Sequence, residues 1–458
     1  MSIEYYHELF APQIAKRPWI ITADAAAGAF RNAQRLLDAG APGVMIVGGT
    51  AGTGTALPDG AELFLFNTTG PTMMSGLRAF QEALSTPPRE LCDAIDAWDP
   101  DGRAAVLGNF LNRESSLCGR AVLGASRPEW QALEDKMIVD QLWDRAGVAR
   151  TPVEIVDARD SESMARVARR IAESDGAVVV ADNTEGWHGG AEYTRYLAPD
   201  ADWSEPLSFL AAHATRARVM AFLRGVPCSI HGLVLPDRVL VFRPVELLIY
   251  RRPSSDEFVY CGMDTIWDPP PGVRDQMRAA ARAVGTVIRD EVAYRGFFGI
   301  DGVCTRDGFF PTELNPRLTA AVSLFGAYPY GDINRAVIEG MSVDLRLDEM
   351  EDEIVAHADL NRSGRWLRPI THLSADESTP YPIRWTGAAW ESCEEGDATA
   401  TMHFGPSAQG ALVFTLLEEK HGLASGESIA EIAAQSFQLA DEVLDTRIGE
   451  LIPGTSDF

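Results

Sequence analysis

Residues 297–317 read FFGIDGVCTRDGFFPTELNPR, and this stretch constrains the fold most, because two strand-like runs meet across a turn signal. FGIDGVCT and FFPTELN suit strands, and TRDG suits the turn between them, with Gly308 able to take a positive φ. A three-residue loop, Arg306 to Gly308, pairs Thr305 with Phe309 and sets Asp301 opposite Glu313. A two-residue loop does not. In the first register the carboxylates share a face with β-carbons about 5 Å apart, and Asn315 joins them because side chains repeat every second residue. Two carboxylates that close repel unless a cation sits between them. Hard oxygen donors plus an amide suit Mg²⁺, with phosphate and water as its other ligands. Arg317 reaches the same side if Pro316 keeps the chain extended, and its planar donor fork suits a phosphate or an anionic intermediate. The competing reading is a solvated hairpin, common in a chain with 66 Asp and Glu.

The formal net charge of −26 argues against nucleic acid or an anionic membrane as partner, since a polyanion is repelled at every approach. A local basic pocket can still bind a small anion, because the general field is screened within about 8 Å. Lys16, Lys136 and Lys420 are the only lysines. The six cysteines have no CxxC spacing, which favours reduced core thiols over a disulfide or zinc framework. The N-terminus MSIEYYHELF lacks the basic-then-apolar pattern of a signal peptide, and no apolar run reaches about 18 residues. A cytoplasmic protein is therefore expected. The oligomeric state is not readable, and a homodimer stays open.

At 458 residues two or three units are expected. RPWIITAD, GAFRNAQRLLDAG, PGVMIVGG and AELFLFN alternate strand and helix patterns, a Rossmann-like α/β layer over residues 1–125. PEWQALEDKMIVDQLWDRAG reads as one long helix stopped by Gly147. SESMARVARRIAESDG, the strand AVVVAD, the loop NTEGWHGG and the runs RVMAFLRGVPCSIHGLVLP and RVLVFRPVELLIYRR suit an α+β arrangement within a second unit, 126–347, with a small lobe expected around 176–222. Residues 348–458 read as a small α+β cap.

The glycine-acid-glycine and E-x-N-P-R text of the hairpin resembles the metal-binding signature of the ATP-grasp superfamily, whose members join carboxylates to amines at the expense of ATP. KMIVDQLWDRAGVARTP resembles its lysine-led segment, which implies Lys136 as a phosphate ligand. DNTEGWHGG, residues 182–190, resembles the glycine loop that closes over the triphosphate, in the form found in peptide ligases of the pheganomycin type. The resemblance implies nucleotide contacts from Glu185, Gly186, His188 and Gly189, although on its own terms His188 suits a solvated loop position better than a ligand. RVMAFLRG falls where the family joins its two lobes, which implies that backbone groups of Ala221, Phe222 and Leu223 face adenine. Two departures stand out. Asp182 or Ala181 occupies the position of a phosphate-binding lysine, and Met220 that of a ribose-binding acid.

These features imply an ATP-grasp fold, ATP with two Mg²⁺ held by Asp301, Glu313 and Asn315, and catalysis by Arg317. The substrates implied are amino acids or short peptides, with Arg243 or Arg251 as substrate or phosphate contacts. A kinase or carboxylase on the same scaffold is the alternative, and a nucleotide-binding protein without turnover is a third. VGGTAGTGT follows a strand but lacks the G-K-[ST] ending of a phosphate loop, and GPSAQG, residues 405–410, reads as a turn.

Overall fold

The computed structural model describes residues 3–454 except 69, 71, 173, 256, 371, 374, 407–410 and 418–419. Most of the expected GPSAQG turn therefore lies outside the described residues.

After α1 (Ile3–Ile14), the first layer runs β1 (Trp19–Ala25), α2 (Phe30–Asp38), β2 (Val44–Thr50), β3 (Ala61–Leu65), α3 (Met73–Ser85), α4 (Arg89–Trp98), β4 (Ala105–Leu107), β5 (Ser116–Leu117) and β6 (Arg120–Leu123). The strand order is β3-β2-β1-β4-β6-β5. All pairs are parallel except β5 with β6. A parallel sheet needs both faces covered, which is why β1 and β2 read as apolar runs. Cys92 on α4 and Cys118 after β5 form a disulfide, with α-carbons 5.1 Å apart. This corrects the expectation of six reduced thiols. The two residues lie 26 apart in sequence, and only the docking of α4 beside the β5–β6 turn makes them neighbours. Cys228, Cys261 and Cys304 are free and buried, as expected.

The expected long helix is broken. It divides into α5 (Pro128–Gln131), a 3₁₀ turn at Ala132–Glu134, and α6 (Val139–Ala146), closed by Gly147 in the left-handed region. The cause is Asp135, which goes extended and accepts the Met137 N–H at 2.8 Å on its own carboxylate, a local bond that competes with the helix. Lys136 thus sits in a tight turn and is buried.

Then come β7 (Val153–Asp157), α7 (Ser161–Ile171), β8 (Ala177–Ala181), β9 (Thr194–Leu197), α8 (Ser204–His213) and β10 (Arg216–Ala221), which pack as the small lobe. The central sheet holds β11 (Val226–Val234), β12 (Val239–Arg252), β13 (Glu257–Asp264), β14 (Gly296–Thr305) and β15 (Gly308–Asn315), backed by α9 (Pro271–Val292). Beyond α10 (Tyr330–Glu339) and α11 (Leu347–Leu360) lie β16 (Gly364–Pro369), β17 (Thr379–Trp385), β18 (Trp390–Ser392), β19 (Ala400–Gly405), β20 (Ala411–Leu416), α12 (Ala430–Leu444) and β21 (Ile452–Pro453). The order β15-β14-β11-β12-β13-β16-β20-β19-β17-β18 carries one sheet across residue 348. The C-terminal segment therefore extends the central sheet and shares a hydrophobic cluster with β12 and β13. No helix among the described residues is long and apolar enough to cross a membrane.

Candidate functional site

The hairpin sets Asp301 opposite Glu313, but not by the three-residue loop. Thr305 pairs with Gly308 across a two-residue turn, and a bulge then returns the register, because Asp301 pairs with Glu313 while Gly302 pairs with Pro311. Thr312 is the surplus residue. Bulges kink and twist a strand and leave backbone groups unpaired. Here the Thr312 carbonyl accepts from Arg218 Nη1 at 3.3 Å, and Arg218 is held by a two-pronged bond to Asp140, 2.7 Å on each arm.

Around the pair, charge is balanced by side chains. Lys136 Nζ lies 3.1 Å from Glu313 Oε2. Asn315 Nδ2 donates to Asp301 Oδ2 at 3.0 Å, and Arg317 donates to Asn315 Oδ1 at 2.9 Å and to Glu134 Oε1 at 2.7 Å. Burial, and after it the Glu313 charge, push the Asp301 carboxyl up to about 6. Two carboxylates and an amide oxygen make a hard donor set that fits a divalent cation. Among the described residues there is no group of three or more His, Cys, Asp or Glu able to hold a metal ion, so a cation here needs Asn315 and oxygens from a ligand.

Lys136, Asp301, Glu313, Asn315 and Arg317 line a cavity of about 400 Å³. Its other walls include Val178, Val180, Met220, Leu247, Ile249 and Phe258, an apolar slot between the small lobe and the central sheet. Ala221, Phe222 and Leu223 line it as well. The Phe222 N–H is already bonded to Gly176 O at 3.0 Å.

Gly189 lines the cavity, whereas Glu185, Gly186 and His188 are outside its walls. Glu185 accepts from Tyr193 and pairs with His213, both at 3.0 Å. His188 is buried, not solvated, with Nε2 near the carbonyls of Ala181 and Asp182, and burial followed by the Lys136 charge lowers its pKa to about 4. Asp182, at the lysine position of the resemblance, anchors the loop base. It accepts from Thr184 Oγ1 at 2.6 Å and from the Arg216 N–H at 2.8 Å. The loop leans on the first layer: Arg78 and Thr72 each reach Glu192 at 2.7 Å, and the Trp187 ring lies 5.9 Å from Phe110. Arg317 stands over both rings, 4.9 Å from Phe110 and 5.7 Å from Trp187.

Arg251 lines the cavity, stacked 4.5 Å over Tyr196. It lies six residues along β12 from Val245, which is level with Ser229 and Asp301, and so sits toward the lobe junction. Arg243 is not brought to the site. It is fully buried and donates to the carbonyls of Thr265 at 2.6 Å and Trp267 at 3.0 Å and to Asp268 at 3.1 Å. An irregularity in the β11–β12 pairing between Pro244 and Val241 shifts the alternation that would have put it beside Leu247, Ile249 and Arg251. Residues that the sequence reading missed include Arg218, Ser229, His231 and Thr319, all in the cavity wall. The available signal was the polar alternation S-I-H inside an apolar strand.

No family model matches the chain, and no curated protein matches it in sequence. Among solved structures it is similar to a carboxyaminoimidazole ribonucleotide synthase from Aspergillus clavatus complexed with ATP, at 10% identity and TM-score 0.49 over 95% of this chain and 100% of that one. A similar likeness links it to an N5-carboxyaminoimidazole synthetase from Staphylococcus aureus complexed with ADP, at 11% identity and TM-score 0.49 over 92% and 96%. The L-amino acid ligase from Bacillus licheniformis aligns at 13% identity and TM-score 0.52, covering 93% of this chain and 97% of that one. With the layer order above, that likeness shows the ATP-grasp fold.

Proposed function

We propose that this protein is an ATP-dependent carboxylate–amine ligase that joins amino acids or short peptides through an acyl phosphate, releasing ADP and phosphate. The observation that carries the reading is a single cavity lined both by an apolar slot and by Lys136, Asp301, Glu313, Asn315 and Arg317. The resemblance of the hairpin text and the name of the Bacillus licheniformis neighbour support it.

The slot would take adenine between Val180, Met220 and Ile249, with Arg251 near the nucleoside. Lys136 would turn from Glu313 to phosphate oxygens when nucleotide binds. Asp301, Glu313 and Asn315 would hold Mg²⁺, two ions in the full reading, which would draw charge from the phosphates and align them. Arg317, braced by Glu134 and Asn315, would face the oxyanion formed when an amine attacks the activated carboxyl. The loop at 182–190 would keep water from the acyl phosphate.

The test is a pairwise amino-acid screen reading ADP release and product mass, with oxygen-18 in the substrate carboxylate. A ligase makes an amide and moves one label into phosphate. Transfer to a hydroxyl without label in phosphate would instead indicate a kinase, and the absence of Mg-ATP binding by calorimetry would overturn the reading.

A further inference from the structure

Two buried polar atoms beside the carboxylates have no hydrogen-bond partner among the described residues, His231 Nδ1 and Thr319 Oγ1. Both residues line the cavity, and His231 is 2% exposed. The strand register places the histidine. Across β11, β14 and β15 one row is Ser229, Asp301, Glu313 and the next is His231, Gly299, Asn315, so the imidazole lies two residues, about 7 Å, along the sheet from the carboxylates. Gly299 makes the room. A β-carbon there would come within 2.9 Å of His231 Cδ2 and 3.3 Å of Thr319 Cγ2, so ring and threonine meet over the glycine. An unpaired buried polar atom costs on the order of 1–3 kcal/mol. In a cavity wall, such atoms take their missing partner from a bound water or from a ligand that displaces it.

The bonds already made at Ser229 leave His231 one role, and the Thr319 hydroxyl can take the same one. Ser229 Oγ has two acceptors for its one proton, Ile300 O at 3.2 Å and the Asp301 carboxylate, and it meets His231 Nε2 at 3.2 Å. Nε2 then donates to Oγ, and Nδ1 carries a bare lone pair. Burial, with the Arg317 charge behind it, lowers the imidazole pKa to about 3, so the ring is neutral at physiological pH and acts as an acceptor.

We infer that His231 Nδ1 and Thr319 Oγ1 form the subsite for a primary amine, each accepting one N–H of the uncharged amino group and leaving its lone pair toward the activated carboxyl carbon. This inference rests on the ligase reading. Attack forms the C–N bond as the C–O bond to phosphate breaks, and the surplus N–H proton leaves with phosphate as hydrogen phosphate. A secondary amine offers one N–H to two acceptors and is the poorer substrate.

The test uses the full chain with His231→Phe, which fills the ring volume without an acceptor, and Thr319→Val, which keeps the result decisive if the first variant does not fold. Two products are measured: the amide from a pair that the unaltered protein joins, and the phosphate released when water hydrolyses the activated carboxyl with no amine present. The ratio of amide to hydrolytic phosphate falls about tenfold in each variant through a higher KM for the amine, the scale of one lost hydrogen bond. His231→Gln, which retains an acceptor, recovers part of the loss. An unchanged ratio, or an unchanged amine KM, overturns the subsite alone. Absence of both products from the unaltered protein overturns the ligase reading and the subsite with it.

Discussion

Two pairs of carboxylates face each other across adjacent antiparallel strands of one sheet, Asp301 with Glu313 and Glu246 with Asp264. The first pair opens on the cavity and is balanced by side chains, Lys136 and Asn315. The second is sealed, with Glu246 1% and Asp264 0% exposed. Its partners are mostly backbone: Glu246 takes the Ile429 N–H at 3.0 Å and the Ser428 hydroxyl where α12 begins, and Asp264 takes the N–H groups of Ile266 and Trp267 at 2.8 and 3.0 Å. Burial raises Asp264 to about 6, and burial with the facing Asp264 charge holds Glu246 well above the usual carboxylate range. The same pairing thus yields two behaviours. Where the partners are side chains that can turn away, the pair can exchange them for a cation; where burial outweighs the neutral backbone donors, it retains a proton and ties the last helix to the sheet.

The largest effect should come from breaking the open pair. Glu313→Ala or Arg317→Ala should lower ADP formation about a thousandfold or more, roughly 4 kcal/mol of transition-state stabilisation, while the melting temperature stays close to the parent's. A variant with full turnover would put the open pair in the same structural class as the sealed one.

Glu246→Ala should act the other way, lowering stability by about 2–4 kcal/mol in urea unfolding because Ser428 and the Ile429 N–H lose their buried acceptor. The pH dependence sharpens the contrast. Asp264 binds its proton more tightly folded than unfolded, so its stabilising contribution is complete below the unfolded carboxyl value near 4 and is lost as pH rises through about 6. The loss is on the order of 3 kcal/mol. Asp264→Asn should flatten that part of the slope between pH 4.5 and 7, and an unchanged slope would remove the shared-proton account. The smallest effect belongs to a pair of intermediate exposure, Arg78 with Glu192. Glu192→Ala should cost about 1 kcal/mol in holding the loop, read as faster proteolysis near residues 182–190.

Much of this was legible in the residues. Period-two spacing put Asp301, Glu313 and Asn315 on one face, and apolar runs marked the parallel first layer. What escaped was irregularity. The Asp135 side chain that turns Lys136 out of a helix, the pairing shift that takes Arg243 away from its strand neighbours, and the bulge at Thr312 each alter a count by one or two residues, and none has a strong composition signal. The Cys92–Cys118 bond escaped because it depends on docking between elements, which spacing cannot reveal.

The hairpin also separates facing from aiming. One extra amino acid is needed somewhere between Asp301 and Glu313, and the chain stores it beside the carboxylates instead of at the tip. Deleting Thr312 while lengthening the turn by one would conserve length, pairing partners and nearly all composition, yet erase the local kink that Arg218 braces. Such a transposition would show whether evolution at this site selected an alignment of residues or a direction in space.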